Sequence, residues 1–244
     1  MIALVRTELL KLYWTRATWG FLAAAVVLVV IRVEMVLSSL GKVDAPPSGS
    51  RQLTLDVLGA SAVGVLVIVL LGVVTVTREF HHATWTSTLL ESPNRPRVLA
   101  AKFVTAALVG AIGAAFLLAV AAGLGLASGD VRLFIDARQV QLVAGGLMAT
   151  AWWAWIGAAI GTVIRSQTVA LLIPPVWILV IETLLPSYGL GAVLPWTPNG
   201  LTAALGGADF AGVLPQWAAA LTLLGYGLVL SAAGVRRAVR SDVC

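Results

Sequence analysis

Charge is scarce in this chain: of 244 residues only 11% are Asp, Glu, Lys or Arg, while 59% are hydrophobic and the mean hydropathy is +0.97. A water-soluble globule carries charge on about a quarter of its residues, so the composition excludes one and requires an integral membrane protein. Cysteine is nearly absent. Cys244, the final residue, is the only one, which excludes an intrachain disulfide and a cysteine-based metal site. Histidine is confined to His81 and His82. Adjacent helix positions do not face one another, and no third ligand beyond Glu79 stands at metal spacing, so zinc, which needs three or four convergent ligands, is rejected. There is also no Gly-x-x-x-x-Gly-Lys-Ser/Thr: the sole Gly-Lys pair, Gly41-Lys42, is followed by Val43. The chain therefore lacks a phosphate-cradling loop for ATP.

Gly-x-Ser-x-Gly, His-Glu-x-x-His and dinucleotide fingerprints are missing too. The apolar runs hold no histidine, no cysteine and too few carboxylates for an acid–base pair, which disfavours an intramembrane enzyme. A net charge of +5 and a pI of 10.0 would suit nucleic acid if the basic residues formed one patch. They flank apolar runs instead, so membrane topology accounts for them and nucleic acid is not expected as a partner.

What the sequence does contain is apolar length. A helix needs about 20 residues to cross the hydrocarbon core, and six segments qualify, at roughly 17–37, 57–77, 99–127, 140–164, 168–187 and 215–235. The expected fold is an all-α membrane protein with both termini on one side. No cleavage pattern follows the first run, so it reads as an uncleaved span. Arg6, Lys11, Arg16, Arg78, Arg95, Arg97, Lys102, Arg165, Arg236, Arg237 and Arg240 collect on one side, against Lys42, Arg51, Arg132 and Arg138 on the other. By the positive-inside rule the first side, with both termini, is cytoplasmic.

Residues 1–16 read as an amphipathic interfacial helix: Ile2, Val5, Leu9, Leu12 and Tyr13 share one face, and Thr7, Glu8, Lys11 and Thr15 the other. The loop 41–52 is turn-rich and aperiodic. The segment before the last span is apolar but interrupted by Pro186, Pro195, Pro198, Pro215, Gly200, Gly206 and Gly207, which suits short helices dipping back into the outer leaflet.

Between spans two and three, residues 78–97 form a hairpin too polar to cross a bilayer and patterned with helix, cap and stop signals. It contains Glu79, Phe80, Thr84, Leu89, Leu90, Ser92, Pro93 and Arg95, and the next span opens with Ala100, Ala101 and Lys102. This order resembles the first cytoplasmic loop of ABC-2 type permeases, the membrane subunits of a class of ATP-driven exporters. More weakly, the resemblance covers the whole chain through its length, lead-in and six spans. It implies an N-terminal elbow helix, a cytoplasmic coupling helix and external re-entrant helices in a permease domain over 17–244. It also implies a second permease chain, identical or homologous, and a separate ABC ATP-binding subunit that holds ATP and Mg, in a bacterial inner membrane. Proteins of this resemblance carry drugs, antibiotics, lipids, peptides and polysaccharides, and the apolar spans tilt the expected cargo toward a hydrophobic or amphiphilic one: a drug, antibiotic, lipid or similar. The competing reading is a non-transporting membrane scaffold or sensor that docks a cytosolic partner through the same hairpin.

On this reading Phe80, Trp85, Leu89 and Leu90 fill a groove on the ATPase, Thr84 belongs to the same helix, and Glu79 and Arg95 provide polar register. The alternative for the hairpin is a helix lying on lipid headgroups. Arg32 and Glu34 in the first span and Glu182 in the fifth are ionisable groups within spans, where they must pair, face a cavity or snorkel. Arg32 and Glu34, two residues apart, diverge, so Glu182 is a candidate partner for Arg32. Trp152, Trp153 and Trp155 cluster in the middle of the fourth span, away from the interfacial belt. They line a cargo path or fill a helix interface. Gly157 and Gly161 form Gly-x-x-x-Gly, a pattern for close helix packing.

Overall fold

The computed structural model describes residues 1–42, 45–81, 94–134, 136–208 and 212–240, with residues 80 and 81 described by their backbone only. Among the described residues there are helices and turns but no strand. Six helical stretches are long and apolar enough to cross a membrane. A short helix α1 (Ile2–Tyr13) precedes the first of them, α2 (Arg16–Leu37). The turn between the two is held by aromatics: Trp19 Nε1 donates to the Tyr13 carbonyl at 2.9 Å, and the Tyr13 ring meets Trp14 and Trp19 edge-on.

The second stretch, Arg51–Glu79, begins six residues before the apolar run expected from residue 57. Ser50 starts it early by accepting a hydrogen bond from Leu53 N, an N-cap that satisfies an otherwise orphaned donor. Its first part, α3 (Arg51–Gly59), passes through a tight turn at Ala60–Gly64 into α4 (Val65–His81). Asn94 caps α5 (Arg95–Ala127) in the same manner, through Arg97 N, with a proline in the first turn. Asp136 caps α6 (Ala137–Ile164) through Gln139 N. The fifth stretch opens as α7 (Gln167–Pro175) and widens into a π turn over Val176–Ile181 before reaching Tyr188. Pro174 and Pro175 lie inside it and offer no N–H to the ladder, so the hydrogen-bond register relaxes there. After further tight turns come α8 (Pro198–Leu205) and the last span, α9 (Gln216–Arg240).

Packing divides these helices into an inner pair and a rim. In the apolar windows of Arg51–Glu79 and Ala137–Ile164, 61% and 56% of residues are buried, against 17% in Arg16–Leu37 and in Gln167–Tyr188. Glycine makes the inner pair possible. A Cβ on Gly72 would collide with the Ala154 carbonyl of α6, one on Gly157 with the Val69 carbonyl of α4, and one on Gly161 would come within 2.9 Å of the Val73 carbonyl. The helices therefore meet backbone to backbone, where dispersion contacts are densest. Around this seam α6 also packs against α5 and α9.

Candidate functional site

The two ends of the bundle hold different chemistry. At the end where α4 stops and α5 starts, Lys102 lies in the second turn of α5, inside a 33-residue apolar helix, with its side chain 1% exposed. A buried ammonium must find carboxylates or lose its charge. It finds Glu8 of α1 at 2.5 Å and Glu79 of α4 at 2.7 Å. Lys11, one turn beyond Glu8, closes the group at 2.9 Å from Glu8 and 3.3 Å from Glu79. The four charges cancel, and each lysine touches both acids. Burial opposes the ionisation of Glu8, but Lys102 and then Lys11 outweigh it and hold the carboxyl below the ordinary value of 4.5. Burial likewise opposes the charge on Lys11, yet Glu8 and then Glu79 raise its pKa above 10.5.

This cluster reassigns two positions. Glu79, expected on a partner-docking surface, is 9% exposed and turned inward to Lys102. Glu8, placed by helical periodicity on the polar outer face of α1, is also 9% exposed, and Leu12 is buried beside it. Ile2 and Tyr13, assigned to the apolar face, are 87% and 58% exposed, so that part of the face is uncovered by the rest of the chain while Glu8 turns to Lys102.

Arg95 also turns inward. Its guanidinium donates to the Ala238 carbonyl at 2.9 Å, near the end of α9. Arg237 reaches the Val163 carbonyl at 2.7 Å, and Arg165 donates to the Arg237 carbonyl at 3.3 Å. These arginines meet the carbonyl-rich C-termini of α6 and α9, where helix dipoles favour cations. Burial, together with repulsion from Arg237 and Arg95, lowers the pKa of Arg165. Thr84, Trp85, Leu89, Leu90 and the Phe80 side chain lie outside the described residues.

At the opposite end the loops are stitched across the bundle. Arg51 pairs with Asp136, its Nε donating at 2.7 Å, and Thr54 Oγ1 donates to the Arg132 carbonyl at 2.7 Å. Glu182, 5% exposed, is not paired with Arg32. Its carboxylate lies 3.0 Å from Thr197 Oγ1 and accepts from Asn199 N at 3.3 Å, so it caps the N-terminus of α8, where negative charge is favoured. Arg32 and Glu34 are exposed on α2. The capping site was invisible to a search for an opposite charge, because its donors are a threonine hydroxyl and a backbone amide.

The three tryptophans of the fourth span each contact another helix or an apolar cluster. Trp153 is buried and donates to Thr202 Oγ1 of α8 at 2.7 Å. Trp155 donates to Ser231 Oγ of α9 at 2.9 Å, its ring lying over Gly227. Trp152 is partly buried against the apolar cluster that contains Leu201 and Leu223.

Sequence reasoning recorded Lys102 within its motif but did not pair it. The usable signal was a lysine one turn inside a long apolar helix, with Glu8 and Glu79 both predicted at the same membrane face.

No curated protein matches the chain. A family model described as ABC-2 family transporter protein matches residues 4–181, a stretch that includes most of α1, the ionic cluster and the first four apolar helical stretches. The chain therefore belongs to the ABC-2 transporter family, whose members are the membrane components of these transporters rather than their ATPases.

Proposed function

We propose that the chain is the permease subunit of an ABC exporter, pairing with a second permease chain to form the path for ATP-driven export of a hydrophobic or amphiphilic substrate. The membrane is the bacterial inner membrane, the Lys102 end faces the cytosol, and a separate subunit binds ATP and Mg. The observation that carries this reading is the buried cluster, in a chain of this family. It ties together α1, the last turns of α4 and the first turns of α5, the two roots of the 82–93 segment.

A motor pressing on that segment would meet a joined base rather than two separate helix ends. Separating buried charges costs several kcal/mol, so the push is passed to α1, α4 and α5 as a unit, and through the glycine seam to α6. In this scheme α1 is the elbow helix, 78–97 is the coupling element, and the short helices between residues 185 and 205 are re-entrant. The permease itself makes and breaks no covalent bond.

Two measurements test the reading. Co-expression with a neighbouring ABC ATP-binding subunit should yield a complex whose ATP hydrolysis rises when amphiphilic substrates are added in liposomes. A complex that forms but hydrolyses ATP indifferently to substrate would favour the scaffold instead, and no complex at all would end the proposal. For orientation, with Cys244→Ser removing the native thiol, Ser48→Cys should react with an impermeant maleimide on intact cells and Ser87→Cys should not. The opposite pattern would invert the topology.

A further inference from the structure

A cavity of about 630 Å³ lies within the single chain at the end away from Lys102, between α3, the start of α4, α5, α6 and α8. That volume falls in the range of about 300–1,000 Å³ typical of small-molecule sites. Its chemistry is divided along its length. Gln52 and Asp56 of α3 and Arg138 in the first turn of α6 supply polar groups near the helix starts, whereas Leu117 and Leu147 line it further in. Leu147 stands nine residues beyond Arg138, about 13 Å at the α-helical rise.

The polar groups are unequal in what they have left to offer. Arg51 is already paired with Asp136, but Arg138 has no acidic partner among the described residues. Its planar guanidinium suits a phosphate, which it can hold with two parallel hydrogen bonds. Asp56 accepts one hydrogen bond from Gln52, at Oδ1, which leaves an anionic oxygen for a cationic group. The wall beyond also carries Ser61, Thr150 and Thr202, whose hydroxyls are spent on the Leu58, Gly146 and Pro198 carbonyls. A cation and an anion near one end with largely apolar walls beyond therefore match an alkyl chain carrying a zwitterionic head.

We infer that this intrachain cavity binds a single-chain amphiphile with a zwitterionic, phosphate-containing headgroup, the head at Arg138 and Asp56 and the tail toward Leu117 and Leu147. The inference concerns binding by one chain. It needs no ATPase and no transport, so its failure and that of the exporter reading are separable.

Two glycines offer a clean way to fill the space. A Cβ added to Gly146 or Gly59 meets nothing within 4 Å. Gly146 lines this cavity, and Gly59 borders both it and the hollow beside Arg32, so leucine at either adds bulk to the wall without prying helices apart and with better helix propensity. The probe is dodecylphosphocholine with a diazirine at the chain end, added to the full-length chain in lipid nanodiscs, with crosslinks mapped by mass spectrometry. Saturable labelling of the α5 and α6 segments around Leu117 and Leu147 is expected, competed by unlabelled dodecylphosphocholine. Gly146→Leu and Gly59→Leu should each lower it at least about tenfold while leaving labelling of the exposed face at Ile112 and Phe116 unchanged. Arg138→Gln should weaken competition by dodecylphosphocholine about tenfold and leave that by dodecyl maltoside unaltered. Equal, non-saturable labelling of cavity and outer face, indifferent to both leucine variants, would mean bulk lipid contact and overturn the site. Equal competition by dodecyl maltoside and dodecylphosphocholine in the unaltered chain would overturn the headgroup assignment.

Discussion

At the Lys102 end a lysine with 1% exposure is clasped by two carboxylates from two other helices, whereas at the opposite end the carboxylate of Glu182 is met by a hydroxyl and a backbone amide. Both arrangements satisfy buried charge, but they differ in how they yield. Removing one member of a buried ion cluster strands the rest, at about 3–5 kcal/mol. Losing a hydrogen-bonded cap costs about 1–3 kcal/mol. The first end can therefore be broken only as a unit, whereas the contacts at the second can be lost one at a time.

The strongest way to break the contrast is at Lys102. Lys102→Met should lower stability by about 3–5 kcal/mol, measured as the unfolding midpoint of purified protein in detergent, and adding Glu79→Gln should recover part of the loss because it removes a stranded charge. A loss under 1 kcal/mol would mean that the cluster does not hold as a unit.

Next is pH. Glu8 is held below its ordinary value of 4.5, so its contribution is fully present above 4.5 and is lost as pH falls through the lower folded value. Lys11 is raised above 10.5, so its share is complete below 10.5 and is lost as pH rises through the higher folded value. The stability gap between the wild-type chain and Glu8→Gln should therefore be constant between these limits and close in acid. A gap that does not shrink at any acid pH would assign the effect to packing rather than to charge.

At the other end, Glu182→Leu should cost about 1–3 kcal/mol by orphaning Asn199 N, while the Thr197 hydroxyl keeps its bonds to the Leu194 carbonyl and Gly200 N, and hydrogen exchange should rise first in residues 197–205. Exchange that rises equally at α1 would show that the ends are not independent. The smallest effect should come from Arg32→Gln, within about 0.5 kcal/mol, because Arg32 makes no ion pair among the described residues and its long side chain can snorkel to the headgroups. Combined with Glu182→Leu it should add to within about 0.5 kcal/mol; a larger coupling would restore the pair that the structure does not form.

Much of the architecture was legible in one dimension. The six apolar runs appear as six helical stretches, because a span needs only length and hydropathy, which are local properties. Their ends moved where a cap intervened: Ser50 begins the second stretch ahead of the apolar run, since an N-cap acts on hydrogen bonds that a hydropathy reading does not weigh. The order of residues 79–102 pointed to the family that the match over 4–181 supports. Of the residues expected to dock a partner, Glu79 and Arg95 were legible as charges at the correct end but not in their direction, because whether a side chain faces inward depends on what stands opposite.

The sequence by itself determined that this is a helical membrane protein, because composition and apolar run length act residue by residue along the chain, and the order of residues 79–102 carried the resemblance to the ABC-2 family. Only the tertiary structure decided that Lys102 meets Glu8 across 94 positions, that Glu182 caps α8 instead of pairing with Arg32, and that Gly157 lies against the α4 backbone. Those outcomes depend on which helix faces meet. Desolvation makes each buried charge and each close backbone contact demand a specific partner, and the distance along the chain to that partner is not encoded in any local pattern.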